Sequence, residues 1–414
     1  MNKIYFSLGF LILIFLLTID STREIARNNL PGNLKIKVKE IFFGKTYLNR
    51  IKTLNELNYN VALLPQTQFE KVYLKKIKIN NFKISEKSNY QLIKNSKKKL
   101  TKFYIAQFNN NIILSDSKGN FFYLENINKT EQLKINTNAN KLNIFDVKDI
   151  NVKNDRIFIT YSKKIKKNCY SLVVANAQIL KKNLNFSPIY ESKSCIKNVI
   201  AGKMHNYTFK GSEGLIITTG DDGRGRNYAQ KNDTIFGKIF FLDLKTKKIN
   251  IFSKGHRNPQ GLSVFKDKIL STEHGPRGGD EINLITTQGN DYGWPTASYG
   301  EPYDKKAKKY KDNHEELGYV DPIYSFVPSI GISQITYVPE SFSKKWKDNF
   351  LVASLNGRSL FRIKMNSDFS KILFFEKIFI GERIRDVEYL VEEKAFLLAL
   401  EDSGSLAVLT MNNG

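Results

Sequence analysis

The chain has 414 residues, enough for one large β domain or two ordinary ones. Its 41% apolar fraction and 12% aromatics supply a buried core and exclude wholesale disorder. The net charge of +25 is scattered as single lysines, and short clusters such as Lys97–Lys99 and Lys163–Lys167 read as solvated loops. With no dense basic block carrying interleaved aromatics, nucleic acid is not an expected partner, and only a general attraction to anionic surfaces or acidic sugars is left.

Lys3 precedes an apolar run from Ile4 to Ile19, after which Asp20 and Arg23 restore polarity. A basic start and an apolar centre are export features. As a helix the run spans about 24 Å, short for a full crossing. The following DSTREIARNN offers no A-x-A site, so residues 1–22 are a signal peptide or an uncleaved inner-membrane anchor, and either exports the rest to the periplasm or beyond. Residues 23–99 read as an extension of unknown role, with apolar stretches at Ile41–Phe43 and Val61–Leu64 and a short helix around Tyr47–Leu57.

After Leu100 the rhythm changes to short β-branched and aromatic runs bounded by Gly, Asn, Asp and Ser. Early examples are Tyr104–Phe108, Ile112–Ser115, Phe121–Glu125, Ile157–Tyr161, Leu172–Asn176 and Leu215–Thr219. Later ones are Lys238–Asp243, Ile269–Thr272, Gln334–Val338, Phe350–Ser354, Ser359–Ile363, Ala395–Leu400 and Leu406–Leu409. Many evenly spaced strands without a long helix mean a sandwich, barrel or propeller. Roughly 310 residues at about 50 per four-stranded blade would make about six blades. Cys169 and Cys195 flank what reads as a pair of strands, and a bridge between them is plausible. Their count alone leaves paired and free states open.

Polar groups concentrate between Gly255 and Pro295, where turns separate short apolar runs. Three blocks there, Gly255–Leu262 (GHRNPQGL), Glu273–Ile285 (EHGPRGGDEINLI) and Tyr292–Pro295 (YGWP), closely resemble the glucose/sorbosone dehydrogenase family. These are soluble quinoproteins that use pyrroloquinoline quinone (PQQ), and weaker similarity runs over roughly Leu100 to Leu409. The resemblance implies an all-β, six-bladed propeller over 100–410, oxidation of a sugar hydroxyl to a lactone, and an exported electron acceptor such as a cytochrome or quinone. It also implies that Arg257, Asn258, Gln260, Ser333, Arg358, Arg383 and Arg385 contact the cofactor. Arginine suits a flat polycarboxylate because its fork pairs with carboxylates and stacks on planar rings. In RIRDV, Arg383 and Arg385 face the same way on a strand. Calcium is the implied metal. Gly275 and Pro276 resemble the carbonyl donors of the ion beside PQQ, while Asp280, Glu281 and Tyr292 belong to a second, structural site.

The base is where the chain departs from the family. Relatives place a histidine three residues before a glycine, ahead of a strand ending in TGD. Here that strand is LIITTGD, Leu215–Asp221, preceded by NVIAGKMHNYTF. One register puts Val199 at the histidine position and the other puts Gly202 there, so His205 is the candidate base. Asp116 is a candidate sugar contact, and His314 has no assigned role. The alternative from another class is a propeller that has lost catalysis and binds sugar, quinone or a protein partner. Metal-assisted lactone hydrolysis is a third reading, for which no converging acidic ligands are visible.

Overall fold

In a computed structural model of the protein, six antiparallel sheets of four core strands are arranged as a six-bladed β-propeller. The structure describes residues 100, 102–127, 133–180, 183–221, 227–304 and 306–411, together with the backbone of Ala62–Leu64 and Val72–Ile77. All of these lie in one compact unit, Leu57–Gly414. The apolar run at 4–19 and the helix expected at 47–57 fall outside the described residues. Among the described residues no helix is long and apolar enough to cross a membrane.

The innermost strands of blades 1 to 6 are Phe103–Phe108, Ile144–Lys153, Ala201–Phe209, Pro259–Phe265, Ile332–Val338 and Ile384–Leu390, and each touches the next around the ring. Blade 6 carries Ala395–Leu400 and Ser405–Met411 and takes Val72–Ile77 as its fourth strand, antiparallel to Ser405–Met411. Joining the early strand to the last one closes the ring without leaving that edge bare. Ala62–Leu64 adds a parallel strand to the rim of blade 5.

Alternation along each strand sends side chains to both faces of its blade, and both faces are covered by neighbouring blades. Six apolar clusters follow, one per interface. Ile113, Val147 and Val173 pack between blades 1 and 2, and Phe103, Leu390 and Leu406 pack between blades 6 and 1. At about 1.5–3 kcal/mol for each fully buried large aliphatic or aromatic side chain, these clusters hold the ring together.

Five of the six innermost strands break register near their start. The shifts fall at Val147/Asp149, Ala201/Met204, Pro259/Gly261, Ile332/Ile335 and Ile384/Asp386. Such bulges re-aim side chains that strict alternation would commit to a blade face. The residues they free are Lys148, Gly202 and Lys203, Gln260, Ser333 and Gln334, and Arg385. At the edge of blade 2, Cys169 and Cys195 form a disulfide with Cα atoms 5.2 Å apart, beside a bridge between Tyr170 and Ile196.

Candidate functional site

Three arginines singled out in the sequence gather where the innermost strands begin. Arg383 and Arg385 lay Nε on the two oxygens of Glu401, at 2.9 and 2.5 Å. Burial raises the Glu401 carboxyl, but Arg385 and Arg383 outweigh it and the net shift is downward. Arg385 Nη1 also donates to Gln260 Oε1 at 3.1 Å, and Gln260 Nε2 donates to Asn258 Oδ1 at 2.7 Å, which ties blade 6 to blade 4.

Arg257 is fixed from several sides. Its backbone N–H donates to Glu273 Oε1, which also accepts the Asn258 N–H at 3.1 Å. Its Nη1 donates to the His274 carbonyl at 2.8 Å, and the guanidinium lies 5.4 Å from the centre of the Trp294 ring. Among the described residues its guanidinium pairs with no carboxylate, and its Nε is buried without a partner. A buried cation without an anion is costly, so the arrangement calls for one. His274 reports the convergence of all three. Burial, opposed by Asp280 and reinforced by Arg257, Arg385 and Arg383, brings its pKa down to about 4. His274 is therefore neutral at neutral pH.

Arg358 stands at the rim, 41% exposed, with Nη2 3.4 Å from Asp402 Oδ2. That same oxygen accepts the Arg383 N–H at 3.3 Å. Ser333 is a tie between blades, its Oγ donating to the Ile384 carbonyl at 2.6 Å.

Below the Gly275 turn, Asp280 is saturated by Gly275 N–H at 3.2 Å, Ser329 Oγ at 2.9 Å and Ile332 N–H at 2.9 Å. The Pro276 carbonyl accepts from Tyr303 Oη at 2.8 Å, and Tyr292 Oη donates to the Leu284 carbonyl at 2.6 Å. Glu281 differs from these. It faces Glu273 across the strand pair, and among the described residues its carboxylate accepts only a 3.5 Å contact from Asn283 Nδ2. Burial, with the Glu273 charge behind it, pushes its carboxyl well above the usual range. Both carboxylates line a cavity of about 10 Å³, room for one water-sized body, with Gly275, Tyr292, Trp294 and Ser298 around it. Among the described residues no three His, Cys, Asp or Glu side chains cluster at metal-binding reach. The donors on offer are two carboxylates plus hydroxyl and carbonyl oxygens, the hard set that calcium takes.

The candidate base is not with the arginines. His205 lies within Ala201–Phe209, three positions past Gly202 and so roughly 10 Å further along the strand. Its Nδ1–H donates to the Asn206 carbonyl at 2.8 Å, and burial lowers its pKa with no arginine contributing. It is paired with Ile216 within the strand. Asp116 is likewise committed, its carboxylate accepting Lys118 N–H, Asn120 N–H and Asn120 Nδ2 at 2.9, 2.9 and 2.7 Å within its own turn. His314 has a structural role, stacked on Tyr299 and 3.2 Å from Asp321.

Several charged groups of the ring escaped the sequence reading. Lys203 bridges Asp149 of blade 2 and Asp386 of blade 6, at 2.6 and 2.8 Å, with all three side chains buried. Lys148 and Lys102 share Asp146, at 2.5 and 2.9 Å. A signal was available: Val147–Ile150 reads VKDI and Ile384–Val387 reads IRDV, so Lys148 is the internal counterpart of Arg385.

A family model for glucose / sorbosone dehydrogenase matches residues 124–408. The chain is 28% identical over 222 residues to an aldose sugar dehydrogenase (YliI) of Escherichia coli, covering 50% of this chain and 59% of that one. It is 28% identical over 226 residues to quinoprotein glucose dehydrogenase B of Acinetobacter calcoaceticus, covering 40% and 46%. The chain thus spans about half the length of the curated relatives it matches. A PQQ-bound aldose sugar dehydrogenase from Streptomyces coelicolor shares the fold, with a TM-score of 0.59 at 15% identity, over 83% of this chain and 99% of that one.

Proposed function

We propose, from the premise that this chain belongs to the glucose/sorbosone dehydrogenase family, that it is an exported aldose dehydrogenase using PQQ and calcium. The observation that carries this is Arg257. It is a partly buried cation lacking an anion, with an orphaned Nε, in a field shared with Arg383 and Arg385. A planar polycarboxylate fits that setting, since guanidiniums pair with carboxylates and stack on flat rings.

When bound, PQQ supplies a two-electron acceptor for hydride from the sugar carbon. Arg383 and Arg385, oriented by Glu401, would clamp carboxylates, and Arg257, braced on Trp294, would present Nε from the other side. Neutral His274 adds no charge to this group, in which Arg383 and Arg385 share Glu401 and the Arg257 guanidinium has no carboxylate. Arg358 and Asn258 would border the same face, and Gln260 fixes the Arg385 fork. Gly275 and Pro276 would offer carbonyls to calcium beside the cofactor. Glu281 and Glu273 would hold a second ion in the small cavity, which relieves their mutual repulsion. The Cys169–Cys195 disulfide supports an oxidising compartment, in keeping with export by the apolar N-terminal run. Electrons would leave to a cytochrome or quinone there.

The placement of His205 away from the arginines favours a second reading, a propeller that binds the quinone without turning over. Adding PQQ and calcium to the purified protein separates the two. Quinone absorbance should shift and aldoses should reduce an artificial dye, with Arg385→Ala weakening binding at least tenfold. Binding without dye reduction by any aldose selects the second reading, and no binding removes both.

A further inference from the structure

We propose that Lys148 is the proton acceptor for the sugar hydroxyl, presented toward the arginine cluster by the bulge that opens the innermost strand of blade 2. The proposal rests on the dehydrogenase reading, since only a hydroxyl being oxidised needs its proton removed.

Placement comes first. Lys148 is the unpaired residue between Val147 and Asp149, as Arg385 is between Ile384 and Asp386 and Gln260 is between Pro259 and Gly261. The same device that turns Arg385 and Gln260 to the mouth of the ring therefore turns Lys148 there too. Arg385 and Lys148 feel each other's charge across the ring.

Space comes second. Gly202, in the adjacent bulge of blade 3, has φ +107°, and a Cβ there would lie 2.5 Å from Lys148 Cβ and 3.0 Å from its Cγ. Lys148 thus fills the volume that a side chain at 202 would need. One register of the family pattern puts the missing histidine at that position. The carbonyl of Gly202 is held by Thr160 Oγ1 at 2.5 Å, so the backbone is fixed where it leaves this room.

Chemistry comes third. Lys148 Nζ lies 2.5 Å from Asp146 Oδ2, but Lys102 Nζ takes both oxygens of that carboxylate, at 3.1 and 2.9 Å. Two ammoniums share one anion, and Arg385 adds a third positive charge from blade 6. Burial above all, with Lys102 and Arg385 outweighing part of what Asp146 gives back, lowers the Lys148 amine to about 8. Tyr104 of blade 1, its phenol raised well above its usual range by burial, completes the charged and titratable surroundings and stays neutral. An amine near 8 is roughly one-tenth neutral at pH 7 and a competent acceptor.

No histidine competes on equal terms. His256 is sealed between Ser253 and Glu273, His314 is buried against Tyr299 and Asp321, and His205 lies down the strand. His274 is in the cluster, on blade 4 beside the Gly275 turn, and the test below separates it from Lys148.

In the proposed step the sugar O–H bond breaks and its proton forms the fourth bond of the Lys148 amine. The C–H bond breaks with its electron pair passing as hydride to the bound quinone, and the carbon–oxygen double bond forms. The sugar is oxidised, the quinone is reduced, and the ammonium sheds its proton to solvent before the next turnover.

The test combines activity with two measurements that do not depend on it. In unloaded protein, the Lys148 ε-amine, assigned by its loss in Lys148→Met, should titrate near pH 8 by NMR, and a value of 10 or above overturns the proposal. In loaded protein, Lys148→Met should lose about 10²–10⁴-fold in kcat while its PQQ Kd stays within about threefold. Wild-type kcat/KM should rise with pH through about 8, and this limb should vanish in Lys148→Met. Lys148→Arg keeps the charge and cannot accept a proton, so it should be equally inactive, and rescue by arginine would assign Lys148 to anchoring instead. Survival of activity in Lys148→Met with loss in His274→Gln moves the proton to the imidazole and overturns the proposal. Wild-type protein that binds no quinone sinks the dehydrogenase reading and this proposal together. Wild-type turnover matched by Lys148→Met sinks the proposal alone.

Discussion

Replacing Lys203 with methionine keeps its length and removes its charge from a buried ionic group that joins three blades. Its Nζ lies 2.6 Å from Asp149 and 2.8 Å from Asp386, with each side chain only 4% exposed. At an effective dielectric of 20 each contact is worth about 6 kcal/mol before costs. Desolvation takes back several kcal/mol per ion, and the two carboxylates repel each other. What decides the outcome is the residue left behind, because Lys203→Met strands two buried carboxyls. A loss of about 3–5 kcal/mol at pH 7 is expected, typical of a broken buried pair. Burial and the Asp386 charge already hold Asp149 up at about 7 against the pull of Lys203. Without the lysine the Asp149 carboxyl would rise further, so the deficit should shrink as pH falls from 8 to 5 and it takes up a proton. Equilibrium denaturation of wild type and variant at those pH values reads this directly, with Lys203→Met/Asp149→Asn/Asp386→Asn as the uncharged control. The reasoning fails if Lys203→Met lies within about 1 kcal/mol of wild type at pH 7, or if its deficit grows on acidification.

Other outcomes follow from the same structure. Calcium should raise the melting temperature of the wild-type protein, by the equivalent of about 2.7 kcal/mol at a hundredfold excess over Kd. Glu281→Gln should abolish that rise in a calorimetric scan, because it removes one of the two carboxylates lining the cavity, which Arg257 also lines. Cys169→Ser/Cys195→Ser opens a bridge between residues 26 apart, and chain entropy predicts a loss of about 3 kcal/mol by denaturation. Glu388 is raised to about 8 by burial and by the Asp386 and Asp149 charges. Its stabilisation is complete below about 4 and is lost as pH rises to 8, so Glu388→Gln should flatten the stability profile between about pH 4.5 and 8.

How much of this was legible in the sequence follows from what each strand buries. Lys238–Asp243 and Ala395–Leu400 lie where their apolar runs said, because they are central strands buried on both faces. Outer strands such as Leu133–Thr137 and Ser187–Glu191 are half polar and look like loops. The innermost strands of blades 2 and 3 were missed for the opposite reason. Ile144–Lys153 and Ala201–Phe209 bury Lys148, Asp149 and Lys203, and a charge in a short run reads locally as surface. Their partners lie on other blades, up to 183 residues away for Lys203 and Asp386. The pairing of Val72–Ile77 with Ser405–Met411 is equally non-local. The arginines were found because they stand in recognisable blocks, and their common partner Glu401 was not, since EDSG reads as an ordinary turn.

The bulges and the buried charges solve one problem. An innermost strand has no neighbour on its channel side, so its edge N–H groups must be met by something other than a ladder. Here side chains from neighbouring blades meet them: Asp149 accepts the Met204 N–H at 2.9 Å, Asp386 the Ile105 N–H at 3.0 Å, and Gln334 the Leu262 N–H at 3.1 Å. Those acceptors follow or occupy bulges, because a strictly alternating strand would have sent them into an apolar interface. Once carboxylates cap the edges, a cation must balance them, and Lys203 does so from its own bulge. The mouth of the ring is different. There the Arg257 guanidinium has no carboxylate among the described residues, and Lys148 must share Asp146 with Lys102. Charge is balanced in the depth of the channel and left positive at its entrance. It is this gradient, rather than the chain's overall charge, that marks the entrance as a place for an anion.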